Sequence, residues 1–383
     1  MRLPADADHS GRDLGQEELE LLRNVLVSGH LSGRGLHVRQ LERDFAARHE
    51  SLCCRAFINF SSAVAGCLVL IGVRPGDEVI VSPFASRPLL SAILLHGAVP
   101  VFADVDPLTL SLTRCAVAAC LSPRTRAVVV SHTFGLPADV DAIRAAAPGV
   151  PILEDSSQAF LARIFGRPVG TLGELGIFSL HQESHLTAGE GALVLTSDQE
   201  LARRLTEYRD QGADSLHDEP LYAAPQTNMT ELQAAVARAQ LCKLEGCVTR
   251  RQRAADELNR LLIDVQGFTL PIAAPGSTHA YARYAIQVDP LLIYGGAQAL
   301  AGDLAQAGIA SYTLPAKLAC DWDIVATRGG RGQNVPHARR AAEHLLILPW
   351  NEFYDPAQIA FLANELIQAA RRRAEPLRLH AGA

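Results

Sequence analysis

The feature that most restricts what this chain can fold into is a series of short segments that are apolar through most of their length, spaced by stretches with helical periodicity. Ala56 to Asn59, Glu78 to Val81, Val99 to Val105, Ala127 to Ser131 and Pro151 to Leu153 carry the first pattern. Ser61 to Ile71, Pro88 to His96 and Ala138 to Ala147 carry the second. Strands without a polar face are buried on both sides, and strands joined through helices run parallel. The expectation is an α/β fold built on a doubly wound, mostly parallel sheet. Ligands of such sheets bind beyond the carboxyl ends of the strands. That rule brings together Asn59-Phe60-Ser61, His132, Asp155 and the turn spanning 178–191.

The alternation fades after Thr230-x-x-Gln233, a capping-box start for a long helix through about Ile263, with Gly246 expected to loosen its middle. His279 to Asp289 alternates like a strand, and Ala297 to Ala307 and Ala357 to Arg372 are helical. At 383 residues two domains are expected. The divisions are an N-terminal helical segment over 1–30, a large α/β domain over 31–247 and a smaller C-terminal α+β domain over 248–383. Gly329 to Gly332 is expected as a flexible loop, since no strand precedes it as a phosphate cradle requires.

Composition narrows function by exclusion. The net charge of −6 is spread out, with no basic run suited to nucleic acid, and no apolar run reaches the length of a membrane span. The N-terminus lacks an apolar signal core, so the expected compartment is the cytoplasm. The eight cysteines form no C-x-x-C, which points to buried free thiols rather than a metal or disulfide framework. Of the 35 basic residues only Lys243 and Lys317 are lysines, so residues 1–242 contain none. The turn Phe178 to Ala192 holds His181, Glu183, Ser184, His185 and Glu190, polar groups carried between two strands. A Ser-His-carboxylate hydrolase is disfavoured there, because contiguous residues on one turn rarely reach triad geometry and no G-x-S-x-G elbow is present.

Several collinear motifs carry a resemblance. They are Pro75-Gly76-Asp77-Glu78, His132-Thr133-Phe134-Gly135, Glu154-Asp155-Ser156-Ser157-Gln158-Ala159, Gly166 to Gly173, Phe178-Ser179-Leu180-His181, Thr230 to Ala235 and Leu348-Pro349. Together they resemble the DegT/DnrJ/StrS-type sugar aminotransferases over about residues 14–372. These are pyridoxal-phosphate enzymes of the aspartate-aminotransferase fold (fold type I). The resemblance implies that Asp155 faces the cofactor's pyridinium nitrogen, that Gln158 packs near the ring, and that Ser179, with Asn59 and Ser61, holds the phosphate. It also implies a homodimer, with Thr230 to Ala235 contributing to the interface.

The same comparison exposes departures. Where the family pattern has its Schiff-base lysine this chain has Ser184, whose hydroxyl cannot form an imine. Phe60 replaces the phosphate-loop glycine and is expected to crowd the phosphate. Ser86, followed by Arg87, replaces the stacking aromatic, and Gln226-x-Asn228 replaces an Asn-x-Arg of the neighbouring subunit. The implied function is a diverged homologue in sugar or natural-product biosynthesis that acts on an amino or keto sugar or related metabolite. It would be incapable of ordinary lysine-dependent transamination, and either cofactor-free or using PLP or PMP (pyridoxamine phosphate) non-covalently. His185, Ser184 and Glu183 are its candidate catalytic groups, and Lys317 aligns with a histidine that borders the family's site. The alternative is a non-catalytic partner protein that binds a sugar nucleotide or stabilises an active homologue.

Overall fold

A computed structural model describes residues 3–4, 13–213, 219–332 and 334–381, with side chains up to 374. Residues 1–2 and 5–12 of the expected N-terminal segment therefore lie outside the described residues. Two helices open the chain, α1 (Gln16–Ser28) and α2 (Leu36–Arg48), followed by β1 (Cys53–Phe57), α3 (Phe60–Leu70), β2 (Glu78–Val81), α4 (Arg87–Leu95), β3 (Val99–Phe102), α5 (Arg114–Cys120), β4 (Thr125–Ser131), α6 (Val140–Ala146) and β5 (Ile152–Asp155). A two-strand excursion, β6 (Arg163–Ile164) and β7 (Arg167–Pro168), leads to β8 (Leu175–Ser179), β9 (Ala192–Thr196), α7 (Gln199–Arg209) and the long α8 (Glu231–Leu262).

These strands form a seven-stranded sheet in the order β1-β9-β8-β5-β4-β2-β3. Its pairings are parallel except those that β9 makes with β1 and β8. The sheet is buried on both faces, as its uninterrupted Val and Ile require: Val79, Val81 and Val129 enter one core, and Ile80, Val128 and Val130 the other. Polar side chains start the helices. Asn59, Thr113, Asp139 and Asp198 accept hydrogen bonds from first-turn N–H groups of α3, α5, α6 and α7. Thr230 and Gln233 form the expected capping box on α8.

The remainder is β10 (Phe268–Thr269), β11 (Ser277–Thr278), β12 (Tyr284–Val288), α9 (Gly296–Gln306), β13 (Tyr312–Thr313), α10 (Asp323–Thr327), α11 (Pro336–His344), β14 (Leu345–Leu348) and α12 (Pro356–Ala381). An antiparallel sheet ordered β10-β12-β14-β13 lies in a core made by the last turns of α8, α9 and α12. β11 pairs with β6, so the later part of the chain also hydrogen-bonds to the earlier part.

Three expectations change. Gly246 does not interrupt α8, whose 32 residues run unbroken past it. An interior glycine costs a helix about 1 kcal/mol, which burial of Leu244, Cys247, Val248 and Arg251 around it outweighs. The residues of α8 up to Val248 pack in the large-sheet core and those from Ala254 in the second core. The loop at 329–332 is pinned, since Phe102 N–H donates to Arg331 O at 2.9 Å and the Arg331 guanidinium pairs with the buried Glu78. The cysteines are free thiols, but Cys115 and Cys242 are exposed because they point outward from α5 and α8. No helix among the described residues is long and apolar enough to cross a membrane.

Candidate functional site

The carboxyl ends of β4, β5 and β8 lie side by side, with Ser131 paired to Asp155 and Asp155 to Ile177. Successive side chains of a strand face opposite ways, so the neighbours Glu154 and Asp155 separate into different roles. Glu154 is fully buried and accepts from Gly170 N–H (2.8 Å), Leu172 N–H (2.7 Å) and Gly173 N–H (2.6 Å). It also meets His132 Nε2 at 3.0 Å. Because His132 Nδ1 accepts from Ala138 N–H at 3.0 Å, the ring proton sits on Nε2 and points at Glu154. His132 is thus committed to the loop 170–173 and does not join the ligand-facing groups. At Gly170, φ is +87° and a Cβ would stand 2.5 Å from the Phe178 ring, which is fully buried. Gly170→Ala is expected to cost about 1–3 kcal/mol, read as a lower urea midpoint at unchanged slope.

Asp155 is left for the site. It is half-buried, and its Oδ1 accepts from Ser157 N–H at 3.2 Å. Burial pushes its carboxyl above the ordinary 3.8, against the opposing pull of the Ser157 hydrogen bonds and of His132. Among the described residues it joins no ion pair. Gln158 is exposed three positions later, its Oε1 accepting from Phe134 N–H at 2.6 Å. Ser179 N–H donates to Ser157 Oγ at 3.1 Å, and Ser179 Oγ accepts from His181 N–H at 3.3 Å.

Asn59 begins α3 by accepting from Ser62 N–H at 2.9 Å. Ser61 Oγ donates to Pro88 O at 3.2 Å, which ties the start of α3 to the start of α4. Phe60, expected to crowd this helix end, is instead buried in the large-sheet core beside Phe57 and Val64. The hydrophobic gain of burying the ring leaves the first-turn N–H groups of α3 uncovered by it. Ser86 and Arg87 are exposed at the start of α4, where Ser86 Oγ serves as the cap.

In the turn, Ser184 N–H donates to His181 O at 2.9 Å, and His181 Nδ1 accepts from Glu183 N–H at 3.3 Å. Ser184 and His185 are buried, while Glu183 is exposed. His185 Nε2 donates to Ala280 O at 2.9 Å, and its ring packs near Phe160. Glu183 pairs with Arg283, at the start of β12. Gln226 and Asn228 fold back on their own chain, with Asn228 Nδ2 donating to Arg209 O at 3.2 Å. Lys243 pairs with Glu17 and Glu18 of α1, and the exposed Lys317 pairs with Asp323 at 3.1 Å.

Arg283 was not singled out by its sequence, although a cation interrupting the apolar text of 280–286 is a signal that could have found it. Its segment crosses the loop after β4: Ala280 N–H donates to Gly135 O at 2.9 Å and Ala282 N–H to Phe134 O at 2.9 Å. Gly135, at φ +100°, has no room for a Cβ, which would meet Gln158 O at 2.7 Å.

Comparison with known proteins matches these features to one group. Residues 12–366 fit the DegT/DnrJ/EryC1/StrS aminotransferase family. The chain is 37% identical to the L-glutamine:2-deoxy-scyllo-inosose aminotransferase of Streptoalloteichus tenebrarius, over 70% of this chain and 68% of that one. It is 35% identical to the L-glutamine:scyllo-inosose aminotransferase of Streptomyces griseus, over 72% and 69%. The crystal structure of the aminotransferase TlmJ from Streptoalloteichus hindustanus superposes with a TM-score of 0.84 at 31% identity, covering 94% of this chain and 97% of that one. Such neighbours are pyridoxal-phosphate aminotransferases of fold type I. On this evidence the chain belongs to the DegT/DnrJ/EryC1/StrS aminotransferase family.

Proposed function

We propose that this protein is a diverged member of the family that binds PLP or PMP without a covalent link and acts on a sugar-derived or natural-product intermediate. The observation that carries the reading is Asp155: a half-buried carboxylate, raised by burial and without an ion-pair partner among the described residues, at the carboxyl end of a central strand. A protonated ring nitrogen is the partner such a group lacks. The start of α3, with Asn59 and Ser61, and the hydroxyl of Ser179 form a donor set suited to the cofactor's phosphate. Gln158 would pack near the ring. The cofactor, when bound, supplies an electron sink.

The chain's own groups do the rest. Position 184 offers no amine, so ordinary lysine-dependent transamination is outside its reach. Glu183 is the exposed carboxylate of the turn, and we assign it the handling of a proton. Ser184 and His185 lie buried beneath it. His185 is buried and its Nε2–H donates to Ala280 O, so its proposed part is to hold the turn against segment 279–282. A homodimer in the cytoplasm completes the reading. Non-catalytic binding is the second reading, favoured by Ser184 itself.

The test is chemical. Protein purified with pyridoxal phosphate is reduced with borohydride, digested and examined by mass spectrometry. The expected result is cofactor that dialyses away and no reduced adduct on any peptide, whereas Ser184→Lys gains an adduct on the peptide spanning the turn. An adduct on Lys243 or Lys317 in the natural chain, accounting for the bound cofactor, overturns the non-covalent reading. Absence of any binding of either cofactor form overturns the cofactor reading and leaves cofactor-free catalysis and the non-catalytic reading, which loss of product formation in Glu183→Ala and His185→Ala tells apart.

A further inference from the structure

We infer that Arg283 anchors an anionic group of the small-molecule ligand, a carboxylate or a phosphate, and that Glu183 occupies this anchor until the ligand arrives. The inference rests on the proposed placing of the ligand over the Asp155 end of the sheet. Three observations converge on it.

The first is the asymmetry of the pair. The Arg283 side chain is 18% exposed and that of Glu183 60% exposed. The cation is the more enclosed member and the carboxylate the one with room to swing into solvent.

The second is how the cation is held. Arg283 N–H donates to Phe134 O at 3.4 Å, and the carbonyl of the preceding Ala282 accepts from the buried Arg251 at 3.2 Å. Arg251 is fixed in turn by Glu352, at 3.0 Å and 2.8 Å. Tyr281, two residues earlier, holds a left-handed φ of +50°, which a side chain adopts only where its surroundings enforce it. The guanidinium therefore grows from a rigid base.

The third is location. Phe134, whose carbonyl accepts from Arg283, donates its own N–H to Gln158, three residues beyond Asp155. Glu183 belongs to the turn that carries Ser184. The pair thus bridges the two segments that border the Asp155 end of the sheet.

A guanidinium presents a planar fork that matches carboxylate and phosphate alike. An ion pair with one exposed member is weak, so exchanging Glu183 for a ligand's anionic group costs little. The exchange also releases the Glu183 carboxylate at the moment a ligand is present. In this view the turn screens the cation from adventitious anions and yields it to a ligand that other contacts have already placed.

Isothermal titration of the full chain with L-glutamine, and separately with uridine diphosphate, tests this. The probe that responds tells carboxylate from phosphate. Glu183→Gln is expected to tighten the responding probe about 3- to 10-fold, because an internal competitor is removed. Arg283→Gln is expected to weaken it about 10- to 100-fold. In the Arg283→Gln background the Glu183→Gln change should have no effect. Thermal melts establish that each variant is folded. The inference is overturned if Glu183→Gln leaves binding unchanged or weaker, if Arg283→Gln leaves it unchanged, or if neither probe binds below about 10 mM. Titration with PMP separates this outcome from the cofactor reading: Asp155→Asn should weaken that binding about 30- to 1000-fold and Arg283→Gln should leave it unchanged. Failure of PMP to bind while the anionic probe responds removes the cofactor reading and leaves Arg283 as the anchor.

Discussion

Asp155→Asn is expected to weaken non-covalent PMP binding by about 30- to 1000-fold, equivalent to about 2–4 kcal/mol, while leaving the cofactor-free protein at least as stable as before. The two halves of this result have one cause. Burial raises the Asp155 carboxyl above its unfolded-state value, so the folded chain holds a proton more tightly there than the unfolded one. With the folded value higher, stability falls as pH rises through the window that begins near 3.8 and extends upward. Above the pH at which the folded carboxyl titrates, the chain carries an ionised carboxylate against the preference of its surroundings. A neutral amide of the same shape removes that strain and also removes the charge a protonated ring nitrogen would meet. Denaturant melts at about pH 7 and at about pH 3.5, with PMP titrations alongside, check both halves. A variant less stable than the natural chain at pH 7, with cofactor binding unchanged, would assign Asp155 to the scaffold instead.

Arg251→Ala is expected to cost about 3–5 kcal/mol, the largest effect on stability foreseen here. Arg251 is 2% exposed, and its partner Glu352, at 2.8 Å, is 4% exposed, so truncation strands a carboxylate away from water. The same side chain reaches the carbonyls of Tyr281 and Ala282 at 3.4 Å and 3.2 Å, which lose their donor as well. The double variant Arg251→Met, Glu352→Leu should recover much of the loss, because a pair replaced by apolar side chains leaves no uncompensated charge. Urea unfolding of the single and double variants measures the difference. Equal losses in both would show that packing volume rather than charge is at stake.

Much of the large domain was legible because its strands leave no polar face. Val128, Val129 and Val130 admit few arrangements other than a strand covered on both sides. Helix α7 escaped notice although Ala202, Leu205 and Tyr208 supply a helical period, because Gln199 to Arg209 is otherwise dense in charge. Helix α5 is only 7 residues, too short for a period to emerge. At the site, the strand-end position of Asp155 could be read from its neighbours, since it follows an apolar strand directly. The direction of a side chain could not. His132 turning toward Glu154 depends on a partner 22 residues away, and Phe60 turning inward depends on the core that the large sheet assembles around it. Arg251 and Glu352 stand 101 residues apart, and no local pattern links them.

The unbroken helix α8 has a mechanical meaning. Its 32 residues make a rod about 48 Å long, one end embedded in the core of the large sheet and the other in the core of the smaller one. A rod without a joint cannot serve as a hinge. It passes strain at either end to the other as a girder does between two walls.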